Sequence, residues 1–416
     1  MHRIRLDRRH ALCCGAAAVG GLFSSLLSAP ADAAEQRPVP AVARDLMAAS
    51  FDGIDATQLW DVHTHLLGTG DSGSGCWVHP HLDSWWHPLE AVRKRAILHG
   101  AGVNAGSTRI DHDYVQRLRQ LAADFPAGAR WMLFAFDHAH DDHGRTQPAH
   151  TTFHVPDSWA ASVAHTHDDR FHWVASIHPY RDDAADRLTH ALARGAVAIK
   201  WLPSAMNIDL RDPRCEPFYR QLARTRVPLI VHAGEEKAVP GAGRDELGNP
   251  LLVRAALRHG VRVIVAHCAS LGHALDLDQR VPTRRPAFEL FARLMDEREW
   301  RGLLLGDVSA LFLANRDAAV WRTVLARDDW HARLLHGSDY PLPCLAPLVR
   351  LSPLVRAGVL HTREVAALEA LRAHNPLLFD LALKRRVQWR GARLADAVFH
   401  TRHHIEAAHA GGTLGG

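Results

Sequence analysis

Nine apolar runs, each closed by turn residues, alternate with stretches of helical periodicity along this chain. They cover residues 58–63, 102–108, 131–137, 171–178, 196–201, 227–232, 261–267, 302–308 and 333–339. Residues 114–124 repeat apolar side chains at helical spacing (Val115, Leu118, Leu121, Ala122), as do residues 182–194 (Ala185, Leu188, Ala191, Leu192). Segments 218–226, 250–259, 285–299 and 317–327 read likewise. Strands alternating with helices in this way imply a mostly parallel sheet of the α/β class with helices outside. About eight such units imply a (β/α)8 barrel, the TIM-barrel architecture. Nine runs compete for eight places, so either 102–108 or 131–137 lies outside the barrel.

Two stretches read as insertions over the mouth of such a barrel. Residues 68–87 are Gly-rich at the start and aromatic at the end, with Trp77, Trp85 and Trp86. Residues 138–155 carry His138, His140, Asp141, Asp142, His143 and His150; a polar, solvated loop is the simpler reading than a second metal site. The tail after Arg385 is basic and rich in Ala and Gly, which suggests a last helix and a loose end.

The N-terminal residues stand apart from the fold. Arg3, Arg5, Arg8 and Arg9 precede an Ala- and Gly-rich apolar stretch, and Ala31-Asp32-Ala33 forms a small-residue cleavage site. This is the plan of an export signal over residues 1–34, leaving 35–416 as the barrel. Arg8-Arg9 resembles a twin-arginine signal, with Asp7 where Ser or Thr is usual and Ala11-Leu12 in place of Phe-Leu. An ordinary secretory signal or an uncleaved anchor are the alternatives. The expected location is the periplasm or outside the cell. No later apolar run is long enough to span a bilayer. A formal charge of +4, with no basic stripe interleaved by aromatics, points away from nucleic acid. Cys76, Cys215, Cys268 and Cys344 have no C-x-x-C spacing and are not a zinc ribbon. The expected partners are a small-molecule substrate and, in a homo-oligomer, further copies of the chain, with no nucleic acid and, once the signal is removed, no membrane.

Metal-ligand residue types recur where the strands end. Asp61-Val62-His63-Thr64-His65 closes the first run, and alternate side chains of a strand share a face. His232 closes 227–232, His267 closes 261–267, Asp339 closes 333–339 and Lys200 lies at the end of 196–201. With 31 His in the chain, single H-x-H pairs arise by chance, and a lone strand-end His is usually a satisfied core residue. Five strand ends carrying ligand types in one order are harder to assign to chance, because the C-terminal rim is where barrel active sites sit.

The order His63-x-His65, Lys200, His232, His267, Asp339 resembles the amidohydrolase superfamily of metal-dependent hydrolases, closest to its amidohydrolase-2 branch, with a phosphotriesterase- and lactonase-like ligand order. The resemblance runs from about Leu59 to Asn375-Pro376. It implies that His63 and His65 hold a more buried metal and His232 and His267 a more exposed one. Asp339 would be the last ligand and would also move protons. Lys200 would be a carboxylated lysine bridging two ions, which requires a neutral amine in a dry pocket. The alternative is one ion on His63, His65, His232 and Asp339, with His267 polarising the substrate and Lys200 binding an acidic group. Imidazole and carboxylate ligands with open positions suit Zn2+ first, then Mn2+, Co2+ or Fe2+.

The substrate pocket is less legible. Glu235 and Glu236 follow His232, Arg244 lies in a Gly-rich loop, and Trp201 follows Lys200; Glu235, Arg244 and Trp201 are the candidate substrate contacts. Asp307, Ser309 and His178 also lie at strand ends, where capping a helix or orienting a ligand is as good a reading. Three function classes follow: a hydrolase of amides, lactones or esters; a single-metal non-oxidative decarboxylase; and a non-catalytic periplasmic metal binder. Two ions with a carboxylated lysine favour the first, one ion with a free amine leaves the second open, and many weak surface sites mark the third.

Overall fold

The computed structural model describes residues 39–239, 241–345 and 348–406; the export signal read over residues 1–34 and the end of the tail lie outside them. Eight strands run parallel in sequence order. They are β1 (Trp60–His65), β2 (Arg130–Phe134), β3 (Phe171–Ala175), β4 (Ala196–Trp201), β5 (Leu229–His232), β6 (Val263–Ala266), β7 (Leu304–Asp307) and β8 (Leu334–Leu335). The ring closes through a parallel bridge between Thr64 and Tyr340. Val62 N–H donates to His336 O at 3.1 Å, and Asp339 N–H donates to His63 O at 2.8 Å. Helices between successive strands complete a (β/α)8 barrel.

The second place in the barrel belongs to 131–137 in register terms, with the strand ending at Phe134, and not to 102–108. The latter is a turn between the helices Pro88–Gly100 and Ile110–Ala123. Gly102 adopts φ +73°, which breaks an extended run and suits a residue without Cβ. The two insertions are joined to each other: Trp77–Val78 pairs antiparallel with Phe153–His154. Residues 138–155 are therefore not merely a solvated loop.

Trp60, Val62, Met132, Phe134, Val174 and Ile230 fill the barrel interior with further aliphatic residues from β4, β6, β7 and β8. Each such side chain contributes roughly 1.5–3 kcal/mol on burial. Ile405, on the C-terminal helix Arg402–Glu406, joins this interior cluster, and Thr401 closes the same end by accepting from Trp60 N–H at 2.9 Å. A larger apolar layer packs the helices on the outside of the strands. The helix Ile110–Ala123 shows the pattern: Ile110, Tyr114, Val115, Leu118, Leu121 and Ala122 are buried on one face. Asn375 caps the helix Pro376–Arg386 by accepting from Leu377 and Leu378 N–H, and its amide donates to Leu121 O at 2.8 Å. Among the described residues no helix is long and apolar enough to cross a membrane. Cys76, Cys215, Cys268 and Cys344 are all free thiols.

Candidate functional site

The end of β1 is re-aimed before it reaches the mouth. Its ladder to β2 shifts register between Asp61 and Thr64. Such irregularities beside active sites redirect side chains. Here both imidazoles lie against Phe134, His63 at 4.7 Å and His65 at 5.5 Å between ring centroids. Asp61 fastens the strand instead of reaching the mouth. Its Oδ1 accepts from His63 N–H at 3.1 Å and Ser338 N–H at 2.8 Å, and burial raises its carboxyl to about 6.

Asp339 arrives from the other side of the seam. A Cβ on Gly337 would stand 2.7 Å from that of His63, so only glycine lets the end of β8 lie this close to β1. Lys384, in a buried pair with Asp380, donates to Gly337 O at 2.6 Å and holds the turn from below. Asp339 has φ +59°, and His267, Cys268 and Ala269 have φ of +55°, +51° and +48°. Non-glycine residues take this conformation at some cost, and only where the surroundings impose it. The result is a carboxylate among imidazoles. Asp339 Oδ1 lies 3.1 Å from His65 Nε2 and 3.4 Å from His63 Nε2, and Oδ2 lies 3.8 Å from His267 Nε2.

A buried acid beneath this cluster sets the tautomers. Asp307, fully buried at the end of β7, accepts from His63 Nδ1 at 2.9 Å through Oδ2. Its Oδ1 accepts from the N–H groups of His267 at 2.9 Å and Ser309 at 3.0 Å, and from the Ser309 hydroxyl. His267 Nδ1 faces Ser309 O at 3.0 Å. A carboxylate and a carbonyl only accept, so both rings carry their proton on Nδ1. Their Nε2 lone pairs then turn toward Asp339, the arrangement a metal-ligating imidazole needs. In Asp307→Asn an amide replaces one oxygen and opposes the Nδ1–H tautomer. We expect metal affinity to fall roughly 10–100-fold with the melting temperature little changed. A competition titration against a chelating dye measures this, and unchanged affinity would show that Asp307 does not orient the rings.

The site's donors are buried and under-satisfied. His63 Nε2, His232 Nε2 and Lys200 Nζ are all buried without a hydrogen bond. Burial first, and then the charge of Lys200 and neighbouring imidazoles, holds His63 well below the usual histidine pKa. Burial likewise lowers His232 and His267. These are neutral rings, the ligating form. Among the described residues, two donor sets bring one ligand atom from each residue within 4.8 Å of one another: His63, His65 and Asp339; and His63, His267 and Asp307. The first presents free lone pairs, while the second is occupied by its own hydrogen bonds. The donor chemistry therefore fits a divalent metal at the first set. Lys200 points inward, its Nζ 5.0 Å from the Phe134 ring centre, and burial lowers its amine to about 8.

The residues expected to touch substrate fare differently. Trp201 is completely buried and faces outward: it packs on Phe218 at 5.1 Å and donates to Ile177 O at 2.8 Å. Strand alternation forces this, because Lys200 takes the inward position. Trp201 is therefore not a pocket residue. Arg244 is tied to Glu246 and to Asn207 Oδ1 at 3.0 Å, in a cleft with His140 and His150 away from the ligand cluster. Glu235 pairs with Lys237 at 3.4 Å. It is Glu236 whose carboxylate lies 3.3 Å from His232 Nε2. His178 is satisfied by Met206 O at 2.8 Å. Trp85 and Trp86 are exposed and stack on each other, so they do not pack the insertion against the barrel. Sequence reasoning missed Arg316, whose charge lowers the pKa of His232 and which itself feels the charge of Asp339. No motif announces it, since it lies seven residues beyond Ser309 in a loop of no fixed pattern.

A (β/α)8 barrel with imidazoles and an aspartate gathered at the C-terminal rim defines a metal-dependent class of enzyme. The chain belongs to the amidohydrolase-2 family, described as Amidohydrolase, whose profile matches residues 60–376. Comparison with curated proteins finds no match. Among solved structures, the chain is similar to an uncharacterized TIM-barrel protein from Bordetella bronchiseptica, at 15% identity and a TM-score of 0.45, covering 77% of this chain and 99% of that one. It is similar to 5-carboxyvanillate decarboxylase from Sphingomonas paucimobilis, at 12% identity and a TM-score of 0.41, covering 72% and 91%. It is also similar to 4-oxalomesaconate hydratase from Rhodopseudomonas palustris, at 14% identity and a TM-score of 0.38, covering 78% and 98%.

Proposed function

We propose that this chain is a metal-dependent hydrolase of a small molecule's amide, lactone or ester bond, exported from the cytoplasm on its twin-arginine-like N-terminus. The observation that carries the reading is the approach of His63 and His65 Nε2 to one oxygen of Asp339, at 3.4 and 3.1 Å, with His63 Nε2 buried and without a hydrogen bond. Zinc is the first choice for such a set. A divalent ion bound there supplies Lewis acidity and lowers the pKa of water to about 7. The chain's own residues do the rest. Asp339 accepts the proton of the attacking water on its carboxylate and delivers it to the leaving group, acting as general base and then general acid. His232 and His267 border the same space, their rings 5.2 Å apart, and orient the substrate carbonyl or complete a second set of ligands. Lys200, dry and with part of its amine neutral, is suited to take up carbon dioxide as a carbamate and bridge the two sets.

A second reading, a single-ion decarboxylase, is favoured by the size of the His63, His65 and Asp339 group, which suffices for one ion. Metal analysis of the purified chain, mass spectrometry of Lys200 and a screen of lactones, esters and N-acyl amides separate the two. The hydrolase reading expects two ions, a carbamate and turnover of one of these bond classes. One ion with an unmodified amine and no hydrolysis would replace it with the second. A chain that retains no tight metal would remove both.

A further inference from the structure

Besides Lys200, the rim carries a guanidinium that no acid pairs with among the described residues. Arg316 lies in the loop after β7, half-buried. Its Nε donates to Ser270 Oγ at 2.8 Å and its Nη1 to Asn315 Oδ1 at 2.8 Å. Ser270 is itself buried and belongs to the turn that begins at His267, so the guanidinium is braced against the ligand loop. Some part-buried arginines of this chain are neutralised by acids, as Arg254 is by Asp278 and Glu297, and others donate to backbone carbonyls, as Arg262 does to His404 O, Arg322 to Ala357 O and Arg333 to Met295 O. Among the described residues, no carboxylate comes within ion-pair reach of Arg316. The acids whose charges reach it are Asp339, Glu236 and Glu235, all on the rim.

Two hydrogen bonds fix the orientation of the planar group and leave Nη2 without a protein acceptor among the described residues. A guanidinium presents paired N–H donors that match a carboxylate edge-on. Burial penalises the charged guanidinium, lowering it to about 10, and a bound anion would relieve that cost. Three acids act on this guanidinium, and the exposed cation beside them, Lys237, is already paired with Glu235, so a singly charged anion is a better match than a dianionic phosphate.

We propose that Arg316 anchors a carboxylate of the substrate, so that the enzyme takes carboxylate-bearing esters, lactones or amides in preference to neutral ones. This rests on the metal-dependent reading above. The loop after β6 fixes the anchor through Ser270, and the strand ends hold the reacting bond.

The test is calorimetric, on the zinc-loaded full chain, with glutarate and butyrate as probes. Both offer one carboxylate to the ion, and only glutarate has a second. We expect glutarate to bind at least roughly tenfold more tightly, and that advantage to vanish in Arg316→Gln, as loss of a charge-assisted contact implies. Zinc content of both proteins is read in parallel. Retained zinc with the same glutarate advantage in Arg316→Gln, or no advantage in the parent chain, overturns the anchor and leaves the metal reading standing. Absence of zinc from the parent chain overturns the metal reading instead. Where Arg316→Gln melts early, Arg316→Lys serves the same comparison: it keeps the charge, loses the planar fork, and should lose most of the advantage.

Discussion

Asp339→Asn is expected to lower turnover by roughly 10²–10⁴-fold, the usual share of a positioned acid–base group, while leaving most of the bound metal in place. Asparagine keeps one oxygen where Oδ1 approaches His63 and His65. It also tolerates the left-handed backbone that φ +59° imposes. Alanine would add backbone strain and remove the ligand together, so its effect could not be assigned. The amide cannot take up a proton at neutral pH. The variant therefore separates holding an ion from moving a proton. The checks are kcat on whichever ester, lactone or amide the parent chain turns over, and metal content by mass spectrometry. Full activity with full metal would show that the proton moves elsewhere, and Glu236, beside His232, would be the next acid to examine.

How much of this could be read in advance follows from what kind of signal each part leaves in sequence. The barrel was legible because strand and helix periodicities are local, and eight βα units have few ways to pack. The gathering of the candidate ligand side chains was legible because strands end in register on one rim, which turns separation along the chain into proximity. His63, His232, His267 and Asp339 are drawn together from positions spread across the barrel. The competition between 102–108 and 131–137 turned on Gly102, whose positive φ leaves no mark distinguishable from a strand-end glycine. Trp201 was misplaced by proximity in sequence. One residue after Lys200 is the opposite face of the strand, and alternation alone assigns it to the outer layer.

What stayed hidden belongs to loops and to hydrogen bonds between distant residues. Asp307 and Ser309 were visible as polar residues near the rim, but the reach of Asp307 to His63 Nδ1 requires β7 and β1 to be placed first. The pairing of Trp77–Val78 with Phe153–His154 joins two insertions of different composition through two residues each, too short a run to carry a strand signature. Arg316 owes its meaning to Ser270 and to the acids it fails to pair with, none of them near it in sequence.

Removing the metal should abolish turnover and leave the barrel folded. The interior from Trp60 to Leu335 is apolar and closed below the rim by Ile405, so its packing does not depend on an ion. The ligands are held from behind by protein alone: Asp307 and Ser309 fix His63 and His267, and Asp61 and Lys384 fix the turn that carries Asp339. An ion present at about 1,000 times its dissociation constant stabilises the native state by about 4 kcal/mol. For a chain this long that is a loss of a few degrees in melting temperature on chelation. Dialysis against a strong chelator, followed by far-ultraviolet circular dichroism, a melting curve and an assay, makes the comparison. The expected outcome is an unchanged spectrum, a modest drop in melting temperature, no turnover, and recovery of both on adding zinc. A collapse of the spectrum would mean that the ion is a structural part of the fold. Undiminished turnover would mean that His63, His65 and Asp339 hold no reacting metal.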